Sequence, residues 1–146
     1  MPEIQAALFD NHKSARFSLD RLHRYELRRR WQESGPWLNF IMLNPSTADE
    51  FQNDPTVERC ERRAVQMGFA GLIVTNLFAF RATDPAVMRA AADPIGPEND
   101  KTILGCAIEA SMVICAWGND GQHLGRSATV LKLLRGIELH ALKLTK

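Results

Sequence analysis

The pattern of apolar and polar positions changes character near residue 37. Before that point it predicts short strands joined by polar turns, at residues 16–19 and 24–31. In the second strand, Tyr25, Leu27 and Arg29 fall on one face, which is the alternation of a half-buried antiparallel strand. The other face is then exposed and basic, and it contains Arg24, Glu26, Arg28 and Arg30.

From residue 37 onwards, the pattern predicts strands and helices in alternation. The predicted strands are residues 37–43, 72–74, 112–116 and 137–144, and the predicted helices are 55–67, 85–92, 97–110 and 127–135. The third helix is expected to bury Ile103, Ala107 and Ile108. Such alternation indicates parallel strands joined by right-handed crossovers. We therefore expect one α/β domain over residues 1–146, a three-layer α/β/α fold whose mostly parallel central sheet has an antiparallel N-terminal edge.

Composition narrows the possible partners. The formal net charge of +1 gives no general attraction to nucleic acid, so such a partner requires a local basic patch. Two candidates are Arg24 with Arg28 to Arg30, and Arg59 with Arg62 and Arg63. The chain has no apolar run of the roughly 20 residues that a membrane helix needs, which predicts a cytoplasmic protein with no membrane partner. The three cysteines and four histidines lack metal-binding spacings, so we expect buried thiols, no metal and no cofactor.

Three short polar motifs, each directly after an apolar strand, are the strongest candidates for a site. They are Asn44-Pro45-Ser46, Thr75-Asn76 and Trp117-Gly118-Asn119-Asp120. Ligands bind at the carboxyl ends of the strands in open parallel sheets, because the loops converge there. We therefore expect one polar crevice. Alternatives remain for each motif, since its polar groups could instead form a turn or brace a loop, and the tryptophan could fill the core.

The same motifs carry a family resemblance. The string LNPSTAD at residues 43–49, a TNLFAFR-like segment and a WG-containing strand end closely resemble an uncharacterised family of bacterial and phage proteins, over about residues 22–146. More distantly, the chain resembles the uracil-DNA glycosylase superfamily. Residues 42–46 are similar to its water-activating GINPG segment, and residues 114–118 to its LLWG strand. This resemblance implies a glycosylase-like fold in which Asn44 positions water and Asn76 reads an extruded base.

Three functions follow as hypotheses: a glycosylase-like hydrolase, with Phe51 or Phe78 stacked on the base; a non-catalytic module that binds DNA or a nucleotide; and a scaffold or partner-binding domain. Asn44 is the candidate catalytic residue. The candidate ligand-binding residues are Pro45, Ser46, Asp49, Phe51, Asn76, Phe78, Arg81, Trp117, Gly118 and Asn119. The glycosylases also use an HPSP-like segment after the last strand, and we expect this domain to lack that C-terminal motif.

Overall fold

A six-stranded mixed sheet with four α-helices makes up residues 12–142, the part of the chain that the computed structural model describes. The strands are β1 (His12–Phe17), β2 (Arg24–Arg30), β3 (Trp37–Met42), β4 (Gly71–Asn76), β5 (Met112–Cys115) and β6 (Leu139–Ala141). The helices are α1 (Pro55–Gln66), α2 (Pro85–Ala90), α3 (Asn99–Glu109) and α4 (Arg126–Leu133), and a kinked 3-10 segment, Asn119–Gly125, precedes α4.

The strand order is β1-β2-β4-β3-β5-β6. Strands β4, β3, β5 and β6 are mutually parallel, whereas β1 and β2 pair antiparallel at one edge. The prediction of an α/β fold with an antiparallel N-terminal edge is confirmed. From β3 the chain crosses first to β4 on one side and later to β5 on the other. The carboxyl end of β3 is therefore the point where the strand order reverses, which is where open α/β sheets bind ligands.

Helices cover both faces of the sheet. On one face, Leu38 and Phe40 of β3 pack against α1 through Val57, Cys60 and Ala64. The other face packs against α2, α3 and α4, through Met88, Ile103, Ala107, Val130 and Leu134. The prediction for Ile108 is wrong, because this residue is 67% exposed on the outer side of α3. Helix α1 begins as the sequence predicts, with the Asp54 carboxylate accepting the Val57 N–H and Pro55 in the first turn.

A register shift in the antiparallel edge changes which residues of β2 are buried. Arg16 of β1 pairs with Glu26, but the next residue, Phe17, pairs with Arg24, so β2 contains one extra residue at this point. An extra residue reverses the alternation of side chains. The prediction that Arg24 is exposed is consequently wrong, since it is only 2% exposed and faces the α1 side of the sheet.

The predicted strand and helix ends shift by a few residues. Strand β1 begins at His12 rather than at residue 16, because it pairs with β2 over its whole length. Strand β6 pairs with only three residues of β5 and is correspondingly short. The last two residues of the predicted final strand, 143 and 144, lie outside the described residues.

Candidate functional site

A cleft of about 180 Å³ lies at the carboxyl ends of β3 and β4. Four of the predicted site residues, Asn44, Pro45, Ser46 and Asn76, line it. The other residues that line it are Arg24, Met42, Leu43, Asp54, Thr56, Val57, Val74 and Ala116. The cleft thus joins the ends of two parallel strands to the first turn of α1, as expected for a ligand site at the reversal point of the sheet.

Asn44 holds a fixed orientation at the edge of the cleft. Its side-chain Nδ2 donates to the main-chain oxygens of Pro45, at 3.1 Å, and Ala82, at 2.7 Å. Both amide protons are therefore used within the protein. Its Oδ1 accepts no hydrogen bond from residues 12–142, so it is available to accept one from a ligand or a water molecule.

Asn76 ends β4 and is buried against the cleft, with 2% of its surface exposed. Its Oδ1 accepts a hydrogen bond from Nη2 of Arg24 at 3.4 Å. No described residue accepts a hydrogen bond from its Nδ2. In this orientation Asn76 presents a donor to the cleft, whereas its oxygen is shared with Arg24.

The sequence places Arg24 only in an exposed basic patch and not inside a cleft, because strict strand alternation puts it on the outer face. Its guanidinium donates to the Ala48 main-chain oxygen at 3.2 Å and to Asn76, and no carboxylate among the described residues lies within ion-pair distance. Burial lowers the pKa of Arg24 to about 10, and the nearby Asp54 charge opposes this shift. The only sequence signal was a basic residue at the start of a strand, which does not reveal a bulge.

Two buried side chains hold the end of β4 in place. The Nδ2 of Asn99, the first residue of α3, donates to the main-chain oxygens of Asn76 and Leu77, at 2.9 and 3.0 Å. The Nε of Arg126 also donates to the Leu77 oxygen, and its Nη2 pairs with Asp100. Sequence reasoning missed Asn99, because an asparagine in the first turn of a helix has the ordinary appearance of a capping residue.

The third motif does not share this cleft. Trp117 and Gly118 line a separate cleft of about 350 Å³ beside β6 and α4, and Asn119 is exposed at the start of the 3-10 segment. Ala116 lines both clefts, so they are neighbours. In place of the single crevice expected from the three motifs, the structure has two adjoining clefts, and the second lies between the end of β5, β6 and α4.

The remaining predicted residues have local roles around the cleft. Asp49 accepts the N–H groups of Phe51 and Gln52, which lowers the pKa of its carboxyl group. Phe51 is 73% exposed and lies outside the cleft. Arg81 packs over the ring of Phe17 and donates to the Arg21 main-chain oxygen.

Phe78 does not have the role that the sequence suggested. It is fully buried, and its ring packs 5.5 Å from that of His123. This corrects the expectation that Phe78 stacks on a bound base, because both faces of its ring are enclosed by the protein.

A third cleft, of about 210 Å³, extends from the first along α1. The two clefts have Met42, Thr56 and Ala116 in common. Arg59 and Arg63 border the extension, and no acidic side chain in residues 12–142 pairs with either of them. In contrast, Arg28 of the other predicted basic group pairs with Glu26 and Glu109. The basic border of this extension therefore comes from α1.

The described region contains no group of three or more histidine, cysteine, aspartate or glutamate residues arranged to hold a metal ion. Cys60 and Cys106 are buried and Cys115 is half-buried, all as free thiols. None of the helices in residues 12–142 is both long enough and apolar enough to cross a membrane.

Comparison with known proteins identifies a family but no activity. No curated protein and no solved structure matches the chain. Residues 24–146 match the family model described as "Protein of unknown function (DUF1643)". Because this match covers most of the chain, including the cleft, the protein belongs to that family of unknown function.

Proposed function

We propose that the cleft between Asn44 and Asn76 binds the edge of a nucleobase, either free or as part of a nucleotide. One observation carries this proposal: Asn44 and Asn76 line the same cleft, and neither the acceptor Asn44 Oδ1 nor the donor Asn76 Nδ2 has a partner within residues 12–142. A base edge with an N–H beside a carbonyl group is complementary to this pair.

The size of the cleft supports a small planar ligand. At about 180 Å³ it is smaller than the ~300 Å³ at which pockets for larger ligands begin. The base of a nucleotide would fill the cleft, and its sugar and phosphate would continue along α1 towards Arg59 and Arg63. Arginine guanidinium groups suit this role because they bind phosphate oxygens in pairs.

A binding experiment tests the proposal directly. Uracil, hypoxanthine and their nucleoside monophosphates are titrated into the protein and followed by calorimetry and by backbone amide NMR shifts. We expect shifts at the ends of β3 and β4. Asn44→Ala and Asn76→Ala should each weaken binding about fivefold, since a neutral hydrogen bond contributes about 1 kcal/mol. Asn119→Ala, which removes an exposed amide outside the cleft, is the matched control.

Either of two results rejects the base-binding role: none of these ligands binds, or the Asn44 and Asn76 variants bind them as tightly as the wild type does. A change in folding stability without any change in affinity would instead favour a scaffold or partner-binding domain.

A hydrolytic version of this function is the second candidate. It is favoured by the orientation of Asn44, whose amide protons are held by two main-chain oxygens so that Oδ1 can accept from a water molecule. The resemblance to uracil-DNA glycosylases gives the same residue the water-positioning role. That water would attack the sugar carbon of the glycosidic bond, the base would leave with the bonding electrons, and the proton lost by the water would pass to the departing base anion.

The hydrolytic candidate requires an assay with product detection. Oligonucleotides that contain uracil, hypoxanthine or a mismatch are incubated with excess protein, and abasic sites are revealed by alkaline cleavage. We expect an abasic product from at least one of them, and its loss in Asn44→Ala. The absence of product from every oligonucleotide would reject hydrolysis while leaving base binding to its own test.

A further inference from the structure

We propose that Arg24 binds a negatively charged oxygen of the ligand, so that the cleft selects ligands that carry a carboxylate or phosphate group. This inference rests on the proposed function, because it concerns the same cleft, and it adds the charge of the ligand. It comes from a comparison of the two buried arginines of β2, which share a strand but differ in their hydrogen bonds.

Nearly all donors of Arg29 are paired within the protein. This residue is 1% exposed, and its guanidinium donates four hydrogen bonds of 2.6 to 3.2 Å. The acceptors are the Asn53 side chain and the main-chain oxygens of Arg28, Asp49 and Gln52. Arg29 therefore braces the loop that leads into α1, and the protein itself accounts for its burial.

Arg24 is buried to the same degree, but fewer of its guanidinium donors have hydrogen-bond partners. It donates two hydrogen bonds, at 3.2 and 3.4 Å, and its buried Nε has no partner in the described part of the chain. A guanidinium group has five N–H donors, so more than half of those of Arg24 are unused. Because an unpaired buried charge is costly, a group without a partner in residues 12–142 is suited to one that a ligand supplies.

The surroundings of Arg24 favour an anion as that partner. The one carboxylate in the cleft, Asp54, uses one oxygen for the Ala48 N–H and the other for the Val57 N–H. Its charge is thus directed at the backbone and the positive end of α1. Arg81 and Arg29 lie close enough to Arg24 to add positive potential.

Asn76 provides a second hydrogen-bond donor for a negatively charged oxygen. Its Oδ1 accepts from Arg24, which turns the Nδ2 donor of the same amide towards the cleft. An oxygen that carries negative charge can accept from both Arg24 and Asn76. The acceptor Asn44 Oδ1, in contrast, would repel such an oxygen and suits a donor elsewhere on the ligand.

Thermal unfolding in the presence of simple anions tests the inference. Inorganic phosphate and acetate are compared with chloride at equal ionic strength, using the wild type, Arg24→Met and Arg24→Lys. An anion that binds the native state raises its melting temperature, and the rise grows with the logarithm of the ratio of anion concentration to dissociation constant once the site is filled. We expect phosphate or acetate to raise it above chloride in the wild type. The dissociation constant should increase by roughly 10- to 100-fold in Arg24→Met, the range for loss of a charged hydrogen bond, and less in Arg24→Lys.

Arg135→Met provides the matched control, because it removes an exposed arginine that lines none of the three clefts. It should keep the response to acetate and phosphate. If neither anion exceeds chloride in the wild type, or if Arg24→Met responds as the wild type does, the inference is overturned.

Asn76→Asp gives an independent test if Arg24→Met does not fold. The new carboxylate would lie at the position that now accepts from Arg24, so the protein would contain its own counter-ion. We expect this variant to be at least as stable as the wild type and to lose its response to acetate and phosphate. An unchanged anion response in Asn76→Asp would contradict the inference.

A matched ligand pair separates this inference from the proposed function. Uracil and uracil-6-carboxylate differ only by a carboxylate group. Preference for the carboxylate in the wild type, lost in Arg24→Met, supports both proposals. Equal binding of the two ligands keeps base recognition and rejects the role of Arg24. An anion response that depends on Arg24, with no binding of uracil, keeps the anion site and rejects base recognition.

Discussion

Substitution of Asn99 should reveal how firmly the end of β4 is held. This residue is fully buried, and its Nδ2 donates to two main-chain oxygens, those of Asn76 and Leu77. In Asn99→Ala both hydrogen bonds are lost, at about 1 kcal/mol each. The Oδ1 of Asn99 has no partner in the described residues, and its removal offsets part of this loss. We therefore expect the free energy of unfolding to fall by about 1 to 2 kcal/mol.

Asn99→Asp is the sharper variant because it keeps the shape of the side chain but replaces the donating amide by a carboxyl group. An ionised carboxylate facing two carbonyl oxygens is repelled by both, and a protonated one can satisfy only one of them. This variant should lose more stability than Asn99→Ala, about 3 kcal/mol or more.

Urea unfolding followed by circular dichroism gives both values. With a slope near 2 kcal/mol per molar urea, a loss of 2 kcal/mol lowers the midpoint by about 1 M. Asn119→Ala serves as the control and should remain within about 0.5 kcal/mol of the wild type, because that amide is exposed. If Asn99→Ala also remains within this range, or if Asn99→Asp is the more stable of the two variants, these hydrogen bonds do not hold the strand end.

Two further predictions concern glycines and cysteines. Gly105→Ala should raise the free energy of unfolding by about 0.5 to 1 kcal/mol, because nothing lies within 4 Å of the added carbon in α3. Gly96→Ala should lower it by about 1 to 3 kcal/mol, since φ is +90° there and the new carbon would lie 3.0 Å from the Tyr25 ring; chemical unfolding of both variants checks the opposite signs. The thiols should react slowly with iodoacetamide at pH 8 in the folded protein and rapidly in urea, because burial raises their pKa values, to about 11, 12 and 11 for Cys60, Cys106 and Cys115. Equally fast alkylation of the folded and unfolded protein would refute the burial of the thiols. Because the thiols of the unfolded chain lose their protons at lower pH than those of the folded protein, the free energy of unfolding should fall as the pH rises from about 9 towards 11.

Periodic features of the fold could be predicted from the sequence. The spacing of Val57, Cys60 and Ala64 indicates the buried side of α1, and the apolar runs of β4 and β5 indicate central strands. These features depend on neighbours along the chain. The meeting of Asn44-Pro45-Ser46 and Asn76 in one cleft could also be predicted, because parallel strands end at a common edge of the sheet.

Other features depend on pairing between distant segments, so local patterns could not predict them. Arg24 is buried because of a register shift against Phe17, and a bulge leaves no mark in the alternation of residue types. Ile108 fits the helical spacing of α3 but lies on its exposed side, since the width of the buried stripe is set by the elements packed against it. Trp117 lines a different cleft, which β6 and α4 form beside the end of β5, and this packing of distant elements is not visible in the local pattern.

The buried polar groups of the cleft bear on the choice between a binding site and a scaffold. Arg24 and Asn76 have donors without a partner in the part of the chain that the structure describes, and unpaired buried donors lower stability. In a scaffold they have no compensating benefit, and replacement by apolar side chains of similar size would only improve the fold. In a binding site the ligand forms the missing hydrogen bonds. The free energy lost by leaving these groups unpaired in the free protein is then recovered as free energy of binding. The two cases predict different results for the double variant Arg24→Met/Asn76→Leu. A binding site gains stability and loses its response to carboxylate and phosphate ligands, whereas a scaffold gains stability and has no such response to lose.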